Sequence, residues 1–292
     1  MSNLQTILAK VQAAFNFDVT KLPLVGPDNL KTPWYGLFRS DNGEPVGSGS
    51  VTSRYVPHTT DDVLALVEAA DKAFDNVEVN CYFQEGHYVF ISPSKEYRKA
   101  IFGTEDNIFA RVIIDAGYDG SAYRAMLGVY RDTCKNLARL HTIAGVTVSI
   151  RHTSALREKM NDLIDSFQTL TAGWENIVKT IEQMQNREVN IVDFLNAVYP
   201  QPASDAAQRA VTIHRNRTEE IFRRIQRERI KTGRGVLPSS KMVSGWEAYN
   251  AIQGYEQHVA TRRASFNNEI ARIIAASNDP AVKLAETLAL AA

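Results

Sequence analysis

The sequence predicts an α+β fold, with β-hairpins and a packed helix in the N-terminal half and a mainly helical C-terminal half. Three observations carry that expectation. Phe109 to Ile114 is an apolar, β-branched run that stops at Asp115-Ala-Gly-Tyr-Asp-Gly and resumes as a second extended run, Ser121 to Tyr130, the pattern of a β-hairpin. Strand-like runs dominate the first half, with helical patterns set among them rather than alternating as in βαβ units. From Leu156 to Met184 apolar residues recur at threes and fours, the pattern of a long amphipathic helix.

The elements follow in order. Leu4, Ile7, Leu8, Val11 and Phe15 make one helical face, a small docking helix. Phe17 to Leu24 alternates as a strand before prolines 23, 27 and 33, and Trp34 to Arg39 is a second short run. Asp41-Asn-Gly-Glu-Pro is a turn, and Gly47-Ser-Gly-Ser leads into a strand over Val51 to Val56. Thr59 or Thr60 caps a helix with Asp61 and Asp62 in its first turn, whose buried face runs from Val63 to Phe74. Asn76 to Cys81 and Tyr88 to Ser92 form another hairpin. Behind the central hairpin, Asp132 or Thr133 is expected to cap a helix that ends at Gly145, before Val146 to Ile150 returns as a strand. Val189 to Tyr199 and Asp205 to Ile230 are helical, Ser244 caps a further helix, and two short apolar helices close the chain. This divides the chain into an α+β core over 1–153 and a helical region over 154–292 packed on it, with a mobile basic loop at 231–241.

Composition excludes several classes. Lysine plus arginine balance aspartate plus glutamate at 33 each, so attraction to a polyanion has to come from local patches rather than the whole-molecule field. Cys81 and Cys134 stand alone in separate elements, without metal-ligand or redox spacing. No apolar run approaches the ~20 residues that span a bilayer, and the N-terminus lacks a leader pattern, so a cytoplasmic protein with no membrane contact is expected. Six histidines form no HExxH or comparable ligand set, and there is no GxSxG elbow or phosphate-cradling GxxxxGK[ST]. Asp115 to Met126 lacks the acids of a calcium loop. Neither an enzyme nor a cofactor is expected.

The notable charge is local. Arg131 precedes the expected helix, Lys135 and Arg139 lie four apart on one face of it, and Arg151-His152 ends the returning strand, with Arg111 and Arg124 on the hairpin. One reading is a sheet-and-helix platform holding a phosphate backbone; the other is a solvated helix face. The arginines from Arg209 to Arg234 pose the same choice, between a basic arm on nucleic acid and a salt-bridged surface. Trp246 and its neighbouring tyrosines are either base-stacking residues or core.

Several segments, in order, resemble a phage- and plasmid-borne family called domain of unknown function 932: Phe17-Asp-Val-Thr-Lys-Leu-Pro-Leu, Val51-Thr-Ser-Arg-Tyr-Val-Pro, Tyr118-Asp-Gly-Ser, Arg131-Asp-Thr-Cys-Lys-Asn-Leu, Ser149-Ile-Arg-His-Thr, and Gly245 to His258. Asp132-Thr133 stands where members usually carry an apolar pair. The resemblance implies a mobile-element setting. The expected hairpin and basic helix also resemble, in topology, the core of RecT, Redβ and Erf single-strand annealing proteins, whose subunits line up as rings or filaments and hold the DNA backbone in a basic groove.

The functional expectation is therefore an oligomeric phage or plasmid protein in a bacterial cytoplasm that binds single-stranded DNA and anneals complementary strands without ATP or metal. Its backbone contacts would be Arg131, Lys135, Arg139, Arg151 and His152, then Arg111 and Arg124. The alternative is a non-enzymatic interaction factor that uses the Leu156 to Met184 stripe to grip a host or phage protein.

Overall fold

In a computed structural model, residues 3–46, 49–74, 78–83, 86–92, 97–118, 120, 122–143, 147–260 and 269–291 are described. In chain order the elements are α1 (Asn3–Ala14), β1 (Val19–Val25), β2 (Lys31–Arg39), β3 (Val51–Thr52), α2 (Thr60–Phe74), β4 (Glu78–Phe83), β5 (Gly86–Ser92) and β6 (Arg98–Ala100). The central hairpin is β7 (Asn107–Gly117) and β8 (Tyr123–Arg131), followed by β9 (Asn136–Ala138) and β10 (Thr147–Ile150). Then come α3 (Leu156–Asp165), α4 (Phe167–Asn186), β11 (Glu188–Asn190), α5 (Ile191–Val198), α6 (Gln208–Lys231), β12 (Met242–Ser244), α7 (Gly245–His258), α8 (Glu269–Ser277) and α9 (Pro280–Leu290). The fold class is α+β.

The chain forms two compact units that interleave in sequence. The first takes Met1–Tyr97, Ala110–Gly128 and Gly145–Trp174; the second takes Arg98–Phe109, Val129–Ala144 and Glu175–Ala292. A single boundary after residue 153 is not what the contacts give, because the long strands β7 and β8 each supply one end to either unit.

In the first unit, β10, β8, β7, β5 and β4 pair in that order, and β1, β2 and β3 make a separate antiparallel sheet. Both expected hairpins form, with Cys81 opposite Val89 in β4–β5. The turn residues Gln84, Glu85, Asp119 and Ser121, like Gly47, Ser48 and Gly145, lie outside the described residues. Helix α1 buries Ile7 and Val11 against α2, whose Val63, Leu66, Val67, Ala70 and Phe74 are all buried, as the spacing predicts. One face of the small sheet joins a cluster of Leu37, Val46, Val51, Tyr55 and Tyr118.

In the second unit the expected helix after Arg131 does not form. Asp132 to Lys135 is a turn, with Lys135 at φ +57°, and Asn136–Ala138 pairs antiparallel with the end of β8. The Leu137 and Leu140 spacing mimics a helix, but Asp132 supplies a turn start and the backbone of Asn136 to Ala138 finds its hydrogen bonds in the sheet. The unit is built around α7, whose residues are buried from Gly245 to Gln257 except Tyr255. Ser244 and Glu247 close its N-terminus as a capping box, satisfying otherwise orphaned amides. Helices α6, α8 and α9 and strand β9 pack on it. The stripe from Leu156 to Met184 is broken into α3 and α4, and Leu170, Trp174, Ile177, Ile181 and Met184 are buried.

Candidate functional site

Three of the segments that carry the family resemblance converge in the first unit. Strand β3 and the turn after it bring Thr52, Arg54 and Tyr55; the β7–β8 turn brings Gly120 and Ala122; the chain leaving β10 brings Arg151, His152 and Thr153. Together they line a cleft of about 340 Å³. The Val56 amide donates to the His152 carbonyl, and His152 Nδ1 lies 3.1 Å from the Val56 carbonyl, so that nitrogen carries the proton and the two segments are pinned together. The His152 ring stacks on Tyr55 with centroids 4.7 Å apart. Tyr55 in turn donates to the Gly117 carbonyl at 3.2 Å, and Tyr118 stacks on His58 at 4.2 Å. The floor is thus a rigid, buried stack of imidazole and phenol rings. Above it stand Arg54 and Arg151, both exposed, and neither forms an ion pair among the described residues. These two guanidiniums, with Thr52 and Thr153 beside them, make a rim of donors suited to phosphate oxygens.

Two further resemblance segments, Arg131 to Leu137 and Gly245 to His258, meet in the second unit, where the chemistry is opposite, while Phe17 to Leu24 runs into β1 of the first unit. The Arg131 guanidinium is 3% exposed. It donates twice to Asp106 Oδ2, at 2.9 Å and 2.5 Å, and once to Glu228 Oε2 at 2.5 Å. Burial opposes its charge, but Cys134, Glu228 and Asp106 outweigh this and raise its pKa above the ordinary value. Asn250 on α7 donates to Glu228 at 3.0 Å and accepts from Asn136 at 3.1 Å, and Asn136 Oδ1 lies 3.1 Å from His258 Nε2. Cys134 sits 3.5 Å from Asn250 Nδ2, and burial, with Glu228 adding to it, pushes its thiol up, away from the reactive thiolate. A Cβ at Gly254 would stand 2.8 Å from the Asn136 amide, so glycine is what lets α7 approach β9 this closely. Arg131, Glu228, Asn250, Asn136 and His258 are joined by side-chain contacts far apart in sequence, the signature of a specified interior, while Asp106 Oδ1 is buried without a hydrogen-bond partner among the described residues.

The sequence-derived residues therefore separate. Arg151 is exposed at the rim of the cleft, and His152, buried under it, belongs to the floor. Arg131 is neutralised inside the second unit and is not a surface cation. Lys135 is exposed but sits in a tight turn, and half-buried Arg139 follows β9, so the two do not share a helix face. Lys135 and Lys231 line a separate cleft of about 830 Å³ in the second unit, but Glu105, Asp106 and Asp132 line it too. Arg124 lies 3.6 Å from Asp115, and Arg111 is half-buried on β7. The loop at 231–241, expected to be mobile, is tied down: Lys231 donates to the Thr133 carbonyl at 2.6 Å, Arg234 pairs with Glu247 at 3.0 Å and lies over the Phe102 ring. Trp246 and Tyr249 are core. Arg54 was missed, although Val51-Thr-Ser-Arg-Tyr-Val-Pro already singled out its segment; its neighbours are turn residues, and nothing in the local sequence places it beside Arg151.

Among the described residues no group of three or more His, Cys, Asp or Glu side chains is placed to hold a metal, and no helix is long and apolar enough to cross a membrane. Residues 48–277 match the family model described as Domain of unknown function (DUF932), and the chain belongs to that family. No curated protein and no solved structure matches it.

Proposed function

We propose that this protein binds single-stranded DNA by its phosphate backbone in the Arg54–Arg151 cleft and anneals complementary strands without ATP or metal. It would act as an oligomer, on a phage or plasmid element in a bacterial cytoplasm. The observation that carries this reading is the pair of exposed guanidiniums without carboxylate partners among the described residues, set over a packed aromatic floor where three family segments converge. Backbone capture of this kind leaves base edges open to a second strand, which annealing requires. A protein-interaction factor would use the Leu156 to Met184 stripe, but Leu170, Ile177, Ile181 and Met184 are turned inward.

The test is a titration of labelled single-stranded and duplex oligonucleotides by fluorescence anisotropy at two salt concentrations, with strand annealing followed in the same samples. Affinity for single strands should fall steeply with salt, and the Arg54→Glu/Arg151→Glu protein should lose about a hundredfold or more in affinity at low salt together with its annealing activity. Binding by the unaltered protein that barely responds to salt, or a charge-reversed protein that binds as well, would overturn the proposal.

A further inference from the structure

The sheet beside the cleft has an anomalous outer face. In antiparallel pairs, directly opposed residues project to the same side and alternate residues to opposite sides. Tyr35 and Leu37 on β2 face inward with Val51, in the Leu37–Tyr118 cluster. Trp34, Gly36 and Phe38 therefore face outward, with Leu22 opposite Gly36 and Thr52 opposite Trp34. A Cβ at Gly36 would stand 2.7 Å from the Phe38 ring and 3.1 Å from Leu24, so both of those side chains fold over this face. A one-sided antiparallel sheet normally presents polar residues to water. Here the outer face carries Leu22, Leu24, Trp34 and Phe38 beside Thr20 and Thr52, and both Leu22 and Trp34 are 47% exposed.

We infer that this face, centred on Trp34, is a stacking platform for unpaired bases of the strand whose phosphates lie in the Arg54–Arg151 cleft. The inference rests on the reading above and adds to it how the bases are held. Thr52 is the link: it lines the cleft and is the direct cross-strand neighbour of Trp34, with Cβ atoms about 5 Å apart in such pairs. A nucleotide with its phosphate between the guanidiniums can lay its base on the indole. Charge selects this occupant over a second copy of the chain. A two-fold contact through Trp34 would bring the Arg54 and Arg151 rim of one copy towards that of the other, whereas a nucleic-acid strand brings the opposite charge. Stacking uses the face of a base and leaves its pairing edge free, so the platform is compatible with annealing and indifferent to sequence.

Trp34 is also its own reporter, because the other tryptophans, Trp174 and Trp246, are buried. The full-length protein is titrated with an oligothymidine and with an abasic sugar-phosphate strand of equal length, reading tryptophan emission and anisotropy. Oligothymidine should quench the emission and bind about tenfold more tightly than the abasic strand. Trp34→Ala should bring oligothymidine down to the abasic affinity, and Trp34→Phe should keep most of the difference. If Trp34→Ala binds oligothymidine undiminished while Arg54→Glu/Arg151→Glu does not, the platform is wrong and the cleft stands. If the unaltered protein binds neither strand, both readings fall. If sedimentation without nucleic acid shows a dimer that Trp34→Ala dissociates, the face belongs to a second copy and the inference is overturned.

Discussion

Arginine does opposite work in the two units. In the first, Arg54 and Arg151 stand exposed over a packed aromatic floor with no carboxylate paired to either among the described residues. In the second, Arg131 is sealed between Asp106 and Glu228, and Arg229 between α6 and the capping carboxylate Glu247, 2.7 Å away. The first arrangement leaves charge available to a ligand and contributes little to the fold. The second uses charge to fix the register of β8, α6 and α7 and leaves none for a ligand. A count of basic residues cannot separate these cases, because the deciding variable is where the carboxylates arrive from: Glu228 lies 97 residues from Arg131.

The largest effect that separates the units should come from Arg131→Ala. The Asp106 side chain has no exposure, and Arg131 is its only side-chain partner among the described residues, so removing the guanidinium strands a buried carboxylate. Loss of one member of a buried pair costs about 3–5 kcal/mol. Arg151→Ala, on an exposed position, should stay within about 0.5 kcal/mol of the unaltered protein. Denaturant unfolding of both variants measures the contrast, and equal midpoints would erase it.

The surroundings of His258, at the end of α7, should also show themselves through pH. Burial, followed by the nearby charges of Arg224 and Arg272, holds the His258 pKa at about 4, below its ordinary 6.5. The folded protein therefore resists a proton that the unfolded chain accepts. The stability contributed by neutral His258 is complete above pH 6.5 and is lost as pH falls from there towards 4. Thermal unfolding from pH 7.5 to pH 4.5 should show a smaller decline in His258→Gln than in the unaltered protein. Parallel curves would mean that partial burial and the two arginines do not hold His258 neutral.

What the sequence made legible was local. The α+β class, both hairpins, the capped helix at Ser244 and the apolar faces of α1 and α2 follow from turn residues, caps and periodicity, which act within a few positions. The strand Asn136–Ala138 was hidden because Leu137 and Leu140 have helical spacing, and only its partner on β8 shows that the segment is extended. The interleaving of the two units was hidden for the same reason. For the site, the segments were visible and their pairing was not: Arg151 was within reach, whereas Arg54 belongs beside it only because β3 and β10 end at the same cleft. The buried state of Arg131 depends on Asp106 and Glu228, which no reading of Arg131-Asp-Thr-Cys-Lys-Asn could supply.

The smallest expected effect tests a third kind of arginine, exposed yet paired. On α6, Arg223 reaches Glu219 at 3.1 Å and Glu220 at 3.3 Å, and Arg227 reaches Glu220 at 2.6 Å, although the two arginine side chains are 63% and 66% exposed. Such surface pairs contribute only about 0.3–0.5 kcal/mol each, and their positive charge is locally answered. Arg223→Gln/Arg227→Gln should therefore change stability by less than about 1 kcal/mol. If the proposed strand binding holds, this variant should also leave single-strand affinity within about twofold and the salt dependence unchanged, because these guanidiniums are already answered by carboxylates. A loss approaching that of Arg54→Glu/Arg151→Glu would mean that phosphates displace the glutamates and recruit α6. The division between exposed, unpaired arginines in the first unit and self-neutralised ones in the second would then fail at this helix, and the proposed path of the strand would extend beyond the cleft.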